Sequence, residues 1–156
     1  MKKKQTIALE NVKLSKDLST HKTASIKSAT LVGVLEFIPG KERGKFMDDL
    51  YRIMADGGTI YVTVPYWASY QAVQDYLYEW PPMHEVSFMY FNKGWRKANG
   101  LEDRGLVCDF DFTYGYAVAP DVSQRSDETR TFAIRNYLNS VQNLQLVLTK
   151  RPAETK

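Results

Sequence analysis

The chain has 156 residues, 44% hydrophobic and 25% charged, with a net charge of +3 and one cysteine. That length suits one domain with a real core, and a single cysteine excludes an intramolecular disulfide and a cysteine-only zinc site. No apolar run approaches the ~20 residues of a membrane span. The basic start, Lys2, Lys3 and Lys4, has no apolar stretch behind it, so it is no secretory signal and the expected setting is cytoplasmic. Those lysines and the tail around Lys150, Arg151 and Lys156 carry much of the positive charge and read as solvated ends. Residues 1–10 and 150–156 are expected to be flexible, with one domain over 1–156 and neither nucleic acid nor membrane as the expected partner.

In chain order, residues 6–9 and then Val12, Lys13 and Leu14 are each short enough and apolar enough for a minor strand, with Glu10-Asn11 as a turn between them. Leu31, Val32, Val34 and Leu35 form an apolar run of the kind seen in a strand buried on both faces, and Pro39-Gly40 breaks it. Phe46, Leu50, Ile53 and Met54 then recur at helical spacing, with Lys41, Glu42, Arg43, Lys45, Asp49 and Arg52 as the solvated face. Asp56-Gly57-Gly58 is expected to end that helix. Residues 59–64 are β-branched or aromatic and end at Pro65. Strand, helix and strand of this length predict a right-handed crossover between parallel strands.

Beyond Trp67, Ala72, Val73, Tyr76, Leu77 and Trp80 predict a second helix that stops at Pro81-Pro82. The stretch 83–100 suits one helix or two short ones through Val86, Met89, Tyr90 and Trp95, with Asn92 as a cap and Gly100 as a stop. Residues 106–118 alternate most cleanly: Cys108, Phe110, Phe112, Tyr114, Tyr116 and Val118 on one face, Asp109, Asp111, Thr113 and Gly115 on the other. Ser126 caps a helix whose stripe is Ile134, Tyr137, Leu138 and Val141, and Leu144, Leu146 and Leu148 alternate in a last strand before a fraying tail.

The segment 31–67 carries a resemblance. VLEFIP (Val34, Leu35, Glu36, Phe37, Ile38, Pro39), an amphipathic helix, Asp56-Gly57-Gly58 and a strand ending in VPYW resemble the middle of class I S-adenosylmethionine-dependent methyltransferases of the type 11 kind. The resemblance extends over 11–150 and implies an α/β, Rossmann-like sheet with helices on both faces and an antiparallel last strand. It implies S-adenosylmethionine as cofactor, with Asp17, Gly33, Val34, Leu35 and Glu36 against it, and an acceptor bordered by Pro65, Tyr66, Trp67 and Tyr90. It also exposes departures. Lys27, Gly33 and Phe37 stand where the family has an acidic residue, a polar residue or histidine, and a histidine. No glycine precedes Gly33, so the family's glycine-rich loop is missing and the domain reads as truncated at its N-terminal, cofactor-binding third.

Each candidate has a competing structural reading. Asp17 suits an exposed cap, and Tyr66 and Trp67 suit a core lid at the strand's end. His84, beside Glu85, is a candidate general base or a structural helix start. Asp109 and Asp111 lie ~7 Å apart on one strand face, where solvent-facing alternation explains them better than acid–base or metal chemistry does. Cys108 reads as a buried small hydrophobe, and two histidines without close spacing argue against a metal site. Three functions follow: an enzyme completed by a partner chain or an unusual N-terminus, a non-catalytic homo-oligomer joined through an exposed sheet edge, and a basic, aromatic nucleic-acid binder.

Overall fold

The computed structural model describes residues 11–153. The expected strand at 6–9, its turn at Glu10 and the extreme tail lie outside the described residues. The elements run β1 (Asn11–Lys13), β2 (Ile26–Val32), α1 (Gly40–Ile53), β3 (Met54–Pro65), α2 (Glu85–Met89), α3 (Lys93–Ala98), β4 (Phe110–Val118), α4 (Pro120–Ser123), α5 (Asp127–Asn136) and β5 (Val141–Lys150). The five strands form one sheet in the order β1-β2-β3-β5-β4. β1, β2 and β3 are parallel, and β5 enters antiparallel between β3 and β4. The fold is therefore α/β with an antiparallel last strand, as the resemblance of segment 31–67 implies.

The crossover from β2 through α1 to β3 builds the core. Phe46, Met47, Leu50 and Ile53 of α1 are buried with Leu31, Ile60, Val62, Leu144, Leu146 and Leu148 of the strands. Burial of each such side chain contributes roughly 1.5–3 kcal/mol. Phe88 and Phe91 extend the same cluster toward Cys108 and Phe110. The opposite face of the sheet is open: Val32 is 47% exposed and Tyr61 51%, and Thr113, Gly115 and Gln145 are exposed beside them. Helices therefore cover one face rather than the expected two among the described residues.

Several boundaries differ from expectation for local reasons. β2 ends at Val32, because Gly33 takes a left-handed φ of +69 and redirects the chain. Leu35 to Phe37 then form a 3-10 turn, not strand. α1 stops at Ile53, and Asp56-Gly57-Gly58 lies inside β3, as a bulge where the pairing steps from Ile26–Met54 to Ser28–Thr59. No second helix forms among residues 72–80. Val73, Tyr76, Leu77 and Trp80 are exposed, and only Tyr70–Ala72 makes a 3-10 turn. The reason is competition for backbone groups. Asp75 accepts the Leu77 amide at 2.9 Å, and the Glu79 amide donates to the Glu36 carbonyl at 2.8 Å, so the chain is pinned in turns.

Arg43 departs furthest from the solvated face assigned to it. It is 6% exposed. Its Nε donates to the carbonyls of Leu35 (3.2 Å) and Ile38 (2.9 Å), its Nη2 to Glu79 (2.9 Å), and its Nη1 to Pro81. Gly40 permits this approach, since a Cβ there would stand 2.7 Å from Pro81 Cδ and 2.9 Å from the Trp80 carbonyl oxygen. β4 begins at Phe110 rather than 106, because the Asp48 carboxylate accepts the amides of Val107 (3.0 Å) and Cys108 (2.8 Å) and holds that stretch against α1. Val86, expected on a buried face, is exposed, while Phe88, Phe91 and Arg96 are buried. Asn92 does cap α3, its Oδ1 accepting from the Trp95 amide at 2.8 Å. The stripe expected on α5 reduces to Ala133 and a half-buried Ile134, because the helix ends at Asn136 and leaves Tyr137 and Leu138 exposed. Lys150, assigned to the fraying tail, is a buried part of β5, where it donates to the Met54 carbonyl at 2.9 Å.

Replacing Arg43 by methionine should lower unfolding free energy by about 2–4 kcal/mol, because several carbonyls lose their donor at once. Urea denaturation checks this; a loss below about 0.5 kcal/mol would show that the carbonyls find other partners.

Candidate functional site

β3 delivers Tyr66 and Trp67 at its C-terminal end. The Tyr66 amide donates to the Gln142 carbonyl at 3.1 Å, and the Trp67 amide to Met83 at 3.0 Å. The chain then turns through Ser69, whose hydroxyl accepts the Gln71 amide at 3.1 Å. Asn139, with a left-handed φ of 62, clamps the α5–β5 corner onto this turn. Its amide donates to the Ala68 carbonyl at 2.9 Å, and its Oδ1 accepts from Tyr70 at 2.7 Å. Between these pieces lies a cavity of about 910 Å³. Its walls are Tyr66, Trp67 and Ala68 after β3, Trp80, Pro81 and Pro82, His84 and Glu85 at the start of α2, Tyr116 of β4, and the end of α5 with Tyr137 and Leu138.

Of the expected site residues, Tyr66, Trp67 and His84 come together here. Tyr66 is buried and Trp67 is 52% exposed, with its ring 6.5 Å from the His84 imidazole. His84 caps α2: Nδ1 accepts the Val86 amide at 3.2 Å, and its own amide donates to the Ser87 hydroxyl at 3.2 Å. This leaves Nε2 as the ring's remaining polar atom. Tyr90 lies elsewhere, packed on Trp95 at 5.0 Å between ring centroids with the Arg104 guanidinium 5.9 Å above it, in a separate groove along α1.

The residues expected around the cofactor are not gathered into one pocket. The Asp17 carboxylate accepts from the Ser19 amide (2.9 Å) and hydroxyl (2.6 Å), and these bonds lower its pKa. Val34 and Leu35 are core residues. Glu36 lines a crevice of about 10 Å³ with Arg43, Pro65 and Tyr78, too small for a ligand. Burial raises its pKa, and its Oε2 is buried without a hydrogen-bond partner. Asp17 is exposed, and a Cβ at Gly33 would meet nothing within 4 Å.

The group that sequence reasoning missed is Glu85 with Tyr116. The Tyr116 hydroxyl donates to Glu85 Oε1 at 3.1 Å, whereas Oε2 is buried without a partner. Burial, then the negative charge of Glu85, pushes the Tyr116 phenol up. Tyr66 is raised first by burial, with Glu85 adding to the effect. Its ring stands 5.5 Å from that of Tyr116. The alternation of β4 placed Tyr116 on the inner face, but nothing local tied it to a residue 31 positions away.

The other candidates are structural. Asp109 accepts the Lys93 amide at 2.8 Å and stands 3.8 Å from Arg151, which also reaches Asp111 at 3.5 Å. Cys108 is buried, its thiol pushed up to about 12 by burial and then by Asp48. Among the described residues no cluster of three His, Cys, Asp or Glu side chains could hold a metal ion, and no helix is long and apolar enough to cross a membrane.

No family model and no curated protein matches the chain. Solved structures do. A SAM-dependent methyltransferase from Archaeoglobus fulgidus is similar over 85% of this chain and 63% of its own length, at 13% identity and a TM-score of 0.55. The fold is that of the SAM-dependent methyltransferases. Less similar are a complex of the Haloferax volcanii Trm112 methyltransferase activator with a methyltransferase (15% identity, 90% and 60% covered, TM-score 0.48) and the YcgJ protein of a Bacillus (11%, 86% and 68%, 0.44). The chain thus spans less than two thirds of the length of the first two structures. In this methyltransferase fold the cavity lies where the parallel strands end, the side on which open α/β sheets bind ligands.

The raised phenol of Tyr116 stabilises the fold fully below the ordinary tyrosine pKa of 10.0, and that contribution is lost as pH rises through the folded value. Denaturant titrations above about pH 10 should therefore show the wild type losing stability faster than Tyr116→Phe, which has no proton to release. Parallel losses would place Tyr116 in ordinary solvent.

Proposed function

We propose that this chain is a S-adenosylmethionine-dependent methyltransferase-type protein that carries the acceptor side of the site and is incomplete as a cofactor binder on its own. The observation that carries the reading is the cavity at the end of β3, lined by Tyr66, Trp67, His84 and the Glu85–Tyr116 pair. In methyl transfer the protein's work is chiefly to hold donor and acceptor in line. A cavity on the strand-end side of the sheet, walled by aromatic rings, suits an acceptor.

The described residues do not by themselves fit the cofactor. Asp17 is committed to Ser19, Val34 and Leu35 to the core, and Glu36 to a closed crevice. The rest of a cofactor pocket has to come from residues outside those described or from a second chain. His84 is then a positioning residue, since its imidazole caps α2 and stacks near Trp67.

A second reading, a non-catalytic homo-oligomer, draws on β1. It is three residues long, and its outer edge has no strand partner among the described residues, which leaves a template for pairing. A light-scattering mass of a dimer that Val12→Pro converts to monomer supports that reading, and a wild-type monomer ends it.

Calorimetric titration of the purified chain with S-adenosylhomocysteine tests the first. No binding is expected below about 1 mM. Micromolar binding that Asp17→Ala or Glu36→Ala abolishes would overturn the incompleteness and locate a cofactor site within this chain.

A further inference from the structure

Besides its phenols, the cavity at the end of β3 is lined by three ionisable side chains, His84, Glu85 and Arg135. Glu85 is spent inside the wall. Its Oε1 receives the Tyr116 hydroxyl, Tyr66 is a further partner, and Oε2 is sealed from solvent. The other two offer donors to the space. His84 accepts the Val86 amide at Nδ1, so the neutral ring carries its proton on Nε2. No hydrogen bond holds Nε2 among the described residues, and unlike Glu85 Oε2 it is not sealed from solvent. Arg135, in the last turn of α5, is exposed and has no hydrogen bond or ion pair among the described residues.

The rest of the wall is largely aromatic. Trp67 is 52% exposed, Trp80 77% and Tyr137 62%, and all three line the same space. Rings exposed in this way offer flat faces on which another ring stacks. A cavity of about 910 Å³ has the size of a small-molecule site, in which a few polar groups orient an apolar body. A neutral aromatic ligand would use the rings alone. A cation would stand against Arg135, and the carboxylate that could balance it is out of reach. A phosphate ester carries a charge of about −1.5 to −2, which Glu85 behind the wall repels more than it repels a monoanion. A carboxylate carries one charge, and its two oxygens match the planar fork of a guanidinium.

We propose that this cavity binds a flat aromatic carboxylate, its ring against Trp67, Trp80 and Tyr137, its charge met by Arg135 and an oxygen held by His84 Nε2–H. That the ligand is also the methyl acceptor rests on the function proposed above, and its class rests on this cavity alone.

The test titrates the purified full chain, without cofactor, by calorimetry. The probes are indole-3-acetate, its neutral isostere indole-3-acetamide, and cyclohexylacetate, which keeps the carboxylate and lacks the aromatic ring. Indole-3-acetate should bind at least about tenfold more tightly than either of the others. Arg135→Gln removes the charge at an exposed position and should bring the acid and the amide within about threefold of each other. His84→Asn keeps a cap for α2 but shortens its reach, and should weaken binding of the acid about threefold or more. Trp80→Ala, a change at an exposed ring, should weaken acid and amide alike without altering the circular dichroism spectrum, and it serves if the His84 variant does not fold. An amide that binds as tightly as the acid, a preference unchanged in Arg135→Gln, or no binding of indole-3-acetate up to about 10 mM would overturn the proposal. The preference without methyl transfer to the acid in any reconstituted mixture upholds the ligand class and ends its role as acceptor. Methyl transfer to another acceptor without the preference sinks the ligand class alone.

Discussion

Arg43 sits on a helix face whose neighbours are charged and solvated, yet its guanidinium is buried and donates hydrogen bonds to four backbone carbonyls. Two of those carbonyls belong to the turn after β2 and two to the segment that enters the cavity wall at Trp80 and Pro81. A segment with no helix or strand of its own has no ladder to satisfy its backbone. Arg43 supplies that satisfaction from outside. The run 73–80 therefore keeps a defined path although none of its residues is buried, and the cavity has a wall because of it.

The same device recurs. Arg96, buried on α3, donates to the carbonyls of Tyr90 (2.7 Å), Leu106 (3.3 Å) and Cys108 (2.9 Å), stitching an irregular stretch to the start of β4. Lys150 donates to Met54 at the helix–strand junction and lies 4.5 Å from the centroid of the Tyr51 ring. A guanidinium has five donors in a fixed fork, so one side chain can serve several loop carbonyls. These cations hold loops in place where no hydrogen-bonded element does, and their charge is met by carbonyl dipoles as well as by carboxylates.

The cavity stands at the meeting of four pieces: the end of β3, the stretch from Trp80 to the start of α2, the C-terminal half of β4 and the end of α5. Their joint is polar and local. Asn139 binds the α5–β5 corner to the turn after Trp67, and Glu85 binds α2 to β4 through Tyr116. Aromatic rings fill the space between these anchors. The likeness to methyltransferases is one of fold, and the particular chemistry of the cavity belongs to this chain's own residues.

The sequence by itself determined the elements whose apolar periodicity is strong. The crossover through α1, the alternating strands β4 and β5 and the Asn92 and Ser126 caps follow from local patterns, because each strand and helix buries a face that the pattern already marks. The antiparallel direction of the last strand comes instead from the resemblance of segment 31–67. It also brought Tyr66, Trp67 and His84 forward, each at the end or start of an element. Only the tertiary structure decided the rest. Whether Arg43 is solvated, whether 72–80 is helical and whether Glu85 meets Tyr116 depend on which backbone groups and side chains arrive from far along the chain. Periodicity carries no information about such partners, and a buried polar contact is settled only when both sides are in place.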